Sequence, residues 1–190
     1  MRFYSYVIRS DSGFAPNPFW HYCTLACCKP IIRKNANCGD WVIGTGSSKS
    51  VGNNRLVYAM KITEKIDFDE YSKNEKYKCK IPSATPMQRC GDNIYYKDED
   101  GDWKIRDGAY HTEKNIKTDI NKGMFVLISD HYYYFGRNAI EIPEKYQSLI
   151  KKGPGHKSNF SIEIIEDFVN WLEGKTPMGI HGNPFSFAKD

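Results

Sequence analysis

Four ring-bearing residues stand in succession early in the chain, at Phe19, Trp20, His21 and Tyr22. They follow residues 15–18, where two prolines keep the backbone extended. A loop that presents such rings can stack on a planar base, which contributes about 1–3 kcal/mol per base. Packing of Phe19 and Trp20 into the core is the alternative, because aromatic side chains dominate protein interiors. The sequence leaves both interpretations open.

Two basic segments are candidate anion sites. Lys29 and Arg33 are four residues apart, so their side chains would project near one another on a helix. Such a pair suits a phosphate or a carboxylate, and a solvated surface is the alternative. His156 and Lys157 lie within the basic loop 151–159, just before the last predicted helix. This loop either receives a phosphate at the start of that helix or is simply solvated.

The cysteines offer a third kind of chemistry. There are six, at Cys23, Cys27, Cys28, Cys38, Cys79 and Cys90. Their spacing lacks the paired Cys-x2-Cys knuckles of a zinc finger, so the sequence predicts neither a metal site nor a cofactor. We expect reduced thiols, with a nucleophilic Cys27 or Cys28 beside Lys29 as a minor hypothesis, since a neighbouring cation activates a thiol.

The composition narrows the class of protein. The 190 residues include 40% hydrophobic and 26% charged residues, which favours a globular fold over disorder or a coiled coil. The formal net charge of +4 permits an anionic partner but argues against histone-like coating of DNA. Neither a membrane-spanning stretch nor a signal peptide is recognisable, so we expect a cytoplasmic protein without a membrane partner. Walker, nucleophile-elbow and His-Glu-x-x-His motifs are also missing from the sequence.

The first half of the chain reads mainly as strands. Alternating residues over 3–8 predict an opening strand, and Thr24 is a candidate cap for a short helix over 25–29, limited by Pro30. Residues 41–46 and 55–62 predict an antiparallel pair of strands.

The second half mixes a polar segment with a strongly patterned end. Residues 63–122 are polar and charge-mixed, and we interpret them as an insertion that contains a weak hairpin. Strands are predicted at 124–128 and 132–136, and an amphipathic helix at 161–173. The sequence thus predicts a single domain over residues 1–190, of class α+β, built on a small, strongly bent sheet or barrel with a few flanking helices.

The order of these features resembles the first half of EVE-type domains in the PUA-like superfold. The resemblance rests on a strand that ends at Arg9-Ser10, the aromatic loop, Cys23, Lys29-Pro30-Ile31-Ile32-Arg33 and Gly39-Asp40-Trp41-Val42-Ile43. A closer resemblance is to the nucleotide-modification-associated domain 2 family of phages and bacteria. It is carried by the string from Asp11 to Phe19 and, more loosely, by Leu127-Ile128-Ser129 and Tyr133-Tyr134-Phe135-Gly136.

The resemblance implies a pocket for a base. EVE and YTH domains, which belong to the same superfold, bind a modified base flipped into an aromatic pocket at the barrel mouth. Carried over to this chain, the hydrogen-bonding edge of the base would meet Asn17 or Asp11, and its face would stack on Trp20 or Trp41. A wrong base would leave a buried polar group unpaired, at a cost of about 1–3 kcal/mol. The implied walls of this pocket are Ser10, Asp11, Asn17, Phe19, Trp20, His21, Trp41 and Thr45.

Three functions remain open at this point. The leading hypothesis is a binding module for a nucleobase or nucleotide, with a modified base in phage or bacterial nucleic acid as one ligand. The second is an enzyme of a base-modification pathway that uses Asp11, His21 or a cysteine for acid–base or nucleophilic work. The third is a protein-interaction module whose surface is the segment 63–122.

Overall fold

A computed structural model describes residues 1–186, and within that range the fold is a mixture of helices and several sheets, as predicted for the α+β class. The α-helices are α1 (Pro30–Asn35), α2 (Phe68–Lys73), α3 (Pro86–Arg89) and α4 (Ile162–Lys175), with 3-10 turns at Glu75–Lys80, Glu113–Asn115, Gly136–Asn138 and Glu144–Leu149 and a π-helix at Lys117–Lys122. The strands are β1 (Phe3–Val7), β2 (Cys23–Leu25), β3 (Trp41–Thr45), β4 (Arg55–Lys61), β5 (Glu64–Asp67), β6 (Tyr95–Lys97), β7 (Trp103–Ile105), β8 (Phe125–Ser129), β9 (His131–Tyr134), β10 (Ile140–Glu141), β11 (His156–Lys157) and β12 (Gly179–Ile180). Among these residues, no helix is long and apolar enough to cross a membrane.

The largest sheet runs in the order β11-β1-β3-β4-β9-β12, with β10 also paired to β4. The predicted antiparallel pairing of β3 with β4 is confirmed, from Trp41 opposite Lys61 to Thr45 opposite Leu56, with a register shift after Gly44. Strand β1 pairs parallel to β3 on the other side. Over the described residues this path has two ends and no closed barrel is formed, so the predicted barrel stays a prediction.

Helix α4 covers one face of this sheet. The predicted amphipathic helix is confirmed and ends at Lys175, two residues beyond 173. Its inward residues Ile165, Phe168 and Leu172 are buried against the sheet, as the spacing of a helical apolar stripe requires. Trp41 belongs to the same cluster and is 1% exposed.

The helix predicted over 25–29 is wrong. Residues Cys23–Leu25 form β2 and pair antiparallel with β8. The helix begins only at Pro30. Proline is favourable there because N–H groups of the first turn have no partner within the helix, so the N–H that proline lacks is not needed. Between these elements Cys28 and Lys29 adopt φ of 62° and 41°, so the backbone is left-handed where a helix was expected.

The segment 63–122 contributes to a second core. Strand β5 joins β2 and β8 in a three-stranded sheet, and the predicted hairpin is confirmed as the pair β6 and β7. Phe68, Tyr71 and Tyr95 from this segment are buried together with Cys27 and Ile128. The strands predicted at 124–128 and 132–136 are confirmed as β8 and β9, each displaced by one or two residues.

Candidate functional site

Three polar side chains form a chain of contacts beside the loop that follows β2. Cys28 Sγ lies 3.8 Å from His111 Nε2, within reach of a hydrogen bond to sulfur. On the other side of the same ring, Nδ1 lies 2.7 Å from Asp119 Oδ2. A thiol, an imidazole and a carboxylate in this order form the arrangement in which a base activates a nucleophile and a third group orients the base.

The backbone holds Cys28 in an uncommon conformation. Left-handed φ at a residue other than glycine is rare and clusters at functional sites. The N–H of Cys28 donates to Asp119 Oδ1 at 3.0 Å, so the same carboxylate that orients His111 also fixes the nucleophile's backbone. Asp119 itself sits on the π-helix Lys117–Lys122, a local widening that is frequent at functional sites.

Arg33 and Tyr95 complete the surroundings of Asp119. The buried Arg33 guanidinium donates to Asp119 Oδ1 at 3.1 Å and to the backbone carbonyl oxygens of Cys28 and Phe125, each at 2.7 Å. The Tyr95 hydroxyl donates to Asp119 Oδ2 at 2.8 Å. Gly123 leaves the space for this arginine, because a Cβ there would lie 2.3 Å from a guanidinium nitrogen. Both carboxylate oxygens are thus fully partnered, as a buried charge requires.

The charges of this cluster are set by burial and by pairing. Burial disfavours the imidazolium form of His111, but the hydrogen bonds to Asp119 and Cys28 outweigh it and raise the pKa to about 9. Burial likewise disfavours the Asp119 carboxylate, yet the hydrogen bond from His111 and the charge of Arg33 lower its pKa. At neutral pH the ring is therefore a cation, which can hydrogen-bond to the Cys28 sulfur and deliver a proton beside it.

Cys28 also lines a cavity, whereas His111 and Asp119 are not among the residues of its lining. The cavity has a volume of about 730 Å³, within the range of roughly 300–1,000 Å³ common for small-molecule sites. Three of its described lining residues are cations and none is acidic. The lining consists of Tyr6, Val7, Ile8, Arg9, Ser10, Ala15, Cys28, Lys29, Ser47, Ser48, Lys49, Gly153, Pro154 and Gly155.

A metal is the alternative occupant of the cluster. One ligand atom each from Cys27, His111 and Asp119 lies within 4.8 Å of the others, a soft set of the type that zinc accepts. Two ligands on a tetrahedral zinc ion stand about 3.3 Å apart, whereas His111 and Asp119 are at the hydrogen-bonding distance of 2.7 Å. Arg33 also places a positive charge against the same carboxylate. This geometry fits a proton-sharing pair better than a metal centre.

Four polar residues of the predicted base pocket, Ser10, Asp11, Asn17 and Thr45, do not share one set of partners. Ser10 lines the cavity. Asp11 is buried and accepts hydrogen bonds from the Tyr134 hydroxyl at 2.6 Å and the Phe185 N–H at 3.1 Å. Asn17 accepts from the buried Lys80 ammonium at 2.8 Å, and Thr45 donates to the carbonyl oxygen of Tyr6 at 3.3 Å.

The predicted rings do not converge on one cavity. Trp41 is buried, stacks on Tyr133 at 6.5 Å and meets the His131 ring at 5.4 Å. Trp20 is half-buried and contacts Phe19, with the Lys80 ammonium 5.8 Å from its ring centre. His21 is exposed. A ligand role for these rings stays a prediction.

The predicted cations divide between two places. Lys29 lines the cavity, whereas Arg33 is buried with Asp119, so the two do not form one open anion site. His156 and Lys157 form strand β11 and pair with β1. Burial lowers the pKa of His156, and the charges of Lys29 and Lys151 lower it further.

The sequence pattern pointed to Cys28 but not to its partners. His111 is 83 residues and Asp119 is 91 residues away along the chain, both in the segment interpreted as an insertion. Local spacing carries no sign of such long-range pairing. The one available sign was a lone histidine near a carboxylate in a polar segment, which is weak without knowledge of the fold.

Comparison with known proteins gives one match. The family model described as nucleotide modification associated domain 2 matches residues 1–190, the whole chain. No curated protein and no solved structure matches.

Proposed function

The chain belongs to the nucleotide modification associated domain 2 family, and from this membership and the cluster beside Cys28 we propose that it is a cysteine-dependent enzyme of nucleotide modification. The reaction is transfer or hydrolysis of an acyl group carried by a nucleotide. Acyl transfer is the reaction class that a positioned thiol, imidazole and carboxylate serve best.

In this reaction the Cys28 thiolate attacks the carbonyl carbon and a carbon–sulfur bond forms. The bond from the carbonyl carbon to the leaving amine or alcohol breaks, and His111 donates a proton to that group. Water, or an acceptor amine, then attacks the thioester while His111 accepts its proton. The carbon–sulfur bond breaks and returns the thiolate, so no oxidant or reductant is consumed.

The observation that supports this proposal most strongly is the alignment of the three groups at the edge of a cavity. The sulfur lies 3.8 Å from one nitrogen of His111 and the other nitrogen lies 2.7 Å from Asp119. Cys28 is the member of the three that lines the cavity. The residue that carries the nucleophile thus borders the cavity, and the base and its orienting carboxylate contact it from outside the lining.

A generic acyl donor tests the proposal without knowledge of the natural substrate. We expect p-nitrophenyl acetate to leave an acetyl group on Cys28, visible in the intact mass and removed by hydroxylamine. Cys28→Ser should lose this adduct, whereas Cys79→Ser, which changes an exposed cysteine elsewhere, should keep it. Acetylation spread evenly over the exposed cysteines would contradict the proposal.

A binding module for a base or nucleotide, with a PUA-like origin, is the second candidate. It is favoured by the size of the cavity and by its cationic lining, which suit a nucleotide without any chemistry. A pure binding module would be stabilised thermally by its nucleotide and leave it unaltered. The enzyme would give a product of changed mass, and Cys28→Ser would stop its formation.

A further inference from the structure

We propose that Arg9, Lys29 and Lys49 form a phosphate subsite, which binds one mononucleotide in the cavity with its remaining part directed toward Cys28. This inference rests on the proposed function, because it names the substrate class for the same cavity. It concerns the basic residues of the lining, of which Lys29 directly follows Cys28 in the chain. Arg and Lys are the side chains that proteins use most to bind phosphate. Arg can donate two parallel hydrogen bonds, and Lys acts as a compact positive charge.

The charge balance of the lining is the first support. Arg9, Lys29 and Lys49 are among the residues that line the cavity, and its described lining contains no Asp or Glu, so Cys28 is the one nearby group that can carry a negative charge. Within residues 1–186, none of the three forms an ion pair, although eight other pairs exist. Basic and acidic residues are nearly balanced in the whole chain, at 27 and 23, whereas the Lys, Arg, Asp and Glu residues of the lining are all basic. Such a lining concentrates anions and repels cations.

The crowding of positive groups is the second support. The Lys29 ammonium lies 4.4 Å from the centre of the buried Tyr6 ring, so it is held at the wall of the cavity. Burial lowers the pKa of Lys29, the neighbouring Cys28 opposes this effect, and the charge of Arg9 adds to it. His156 also lies within the field of Lys29. A bound phosphate would offset this mutual repulsion, so the lining suits an anion.

The remaining walls suit a ligand of one nucleotide. Ser10 and Ser48 supply hydroxyl groups, and the loop of Gly153, Pro154 and Gly155 carries no bulky side chain. The volume of about 730 Å³ is that of a small-molecule site. A nucleic-acid strand instead needs a groove whose cations follow several phosphates. The small number of cations in a single cavity favours a mononucleotide.

Binding by calorimetry to Cys28→Ser, which binds without reacting, tests the subsite. The probes are the four 2′-deoxynucleoside 5′-monophosphates, the matching nucleosides and a ten-residue strand of deoxythymidine. We expect at least one monophosphate to bind about tenfold or more tightly than its nucleoside. The double variant Arg9→Gln, Lys49→Gln should lose most of this preference. The control Lys34→Gln, Lys114→Gln removes the same charge from exposed positions outside the cavity and should keep it.

Equal affinity for monophosphates and nucleosides, or an unchanged preference in the Arg9 and Lys49 variant, would overturn the subsite. Tighter binding of the strand with a steep dependence on salt would overturn the mononucleotide assignment. These results are separate from the acetylation experiment. Acetylation of the wild type without preference for Cys28, together with an intact phosphate preference, would refute the enzyme and leave the subsite standing. Preferential acetylation of Cys28 without a phosphate preference would refute only the subsite.

Discussion

His111 and Asp119 share a hydrogen bond of 2.7 Å between Nδ1 and Oδ2, and the other nitrogen of the ring faces the Cys28 sulfur. The two residues are eight positions apart, on a segment that packs against β8 and the loop after β2. One carboxylate thereby fixes the orientation of the ring and the backbone of the cysteine. The thiol, the ring and the carboxylate form one hydrogen-bonded network, so a change to any one of them should alter the position and hydrogen bonds of the other two.

His111 should make the stability of the protein depend on pH. Its pKa in the folded state is raised to about 9, above the ordinary value of 6.5, so folding favours the protonated ring. The resulting stabilisation is full below about pH 6.5 and is lost as the pH rises through about 9. A raised pKa of this size corresponds to about 3 kcal/mol. Urea unfolding from pH 6 to pH 10 tests this. The free energy of unfolding of the wild type should exceed that of His111→Gln at pH 6, and the difference should shrink toward pH 10. A difference that does not change with pH would contradict the pairing.

Asp119→Asn should destabilise the protein strongly. The change leaves the buried Arg33 guanidinium without its counter-charge, which typically costs about 3–5 kcal/mol. Asp167→Asn is the matched control, because its partner Lys145 is exposed and such surface pairs contribute at most about 1 kcal/mol. Chemical denaturation of both variants gives the comparison. Similar free energies of unfolding for the two would show that the buried pair is not holding the site.

Gly123→Ala should disturb the site through Arg33. The new Cβ would lie 2.3 Å from a guanidinium nitrogen, so the arginine must move away from Asp119. We expect a lower melting temperature and slower acetylation of Cys28. Gly174→Ala offers the opposite case, since nothing lies within 4 Å of its Cβ and alanine favours a helix by about 1 kcal/mol. A tolerated alanine at Gly123 would contradict the described packing.

The two tryptophans of the predicted base pocket should behave differently. Trp41 is 1% exposed within the cluster under α4, so Trp41→Ala should cost about 3–5 kcal/mol in the free energy of unfolding. Trp20 is half-buried, so Trp20→Ala should lower the free energy of unfolding by less. Calorimetric titration of Trp20→Ala with the mononucleotides then measures its ligand role separately from stability. Equal destabilisation by both changes would place Trp20 in the core as well.

The fold could be predicted where the signal is local. Helix α4 is predicted from apolar residues at helical spacing, and strands β3 and β4 are predicted from continuous apolar runs, because these patterns lie within each element. Prediction failed over 25–29 because the pairing of β2 with β8 and the left-handed Cys28 and Lys29 depend on residues far along the chain. The prolines marked the boundaries, but Pro30 begins a helix rather than ending one.

The site could be predicted only in part, because its members meet through tertiary folding. Cys28 and Lys29 were singled out as neighbours and both line the cavity. Arg33 was expected to face an anion in solvent, yet it is buried against Asp119. The sequence does not predict His111 as a site residue, because its contact with Cys28 spans 83 positions and its contact with Asp119 spans an irregular segment of eight residues.

The reactivity of Cys28 toward iodoacetamide tests the central claim most directly. Peptide mapping at neutral pH measures alkylation of Cys28 against the exposed Cys38 and Cys79 in the same molecule. An imidazole within hydrogen-bonding distance of a cysteine sulfur, oriented by a carboxylate, is the arrangement that activates a nucleophile. We predict that Cys28 is alkylated fastest although it is less exposed, and that His111→Gln removes this advantage. Slower alkylation of Cys28 than of the other two, or a rate unchanged by His111→Gln, would contradict the account.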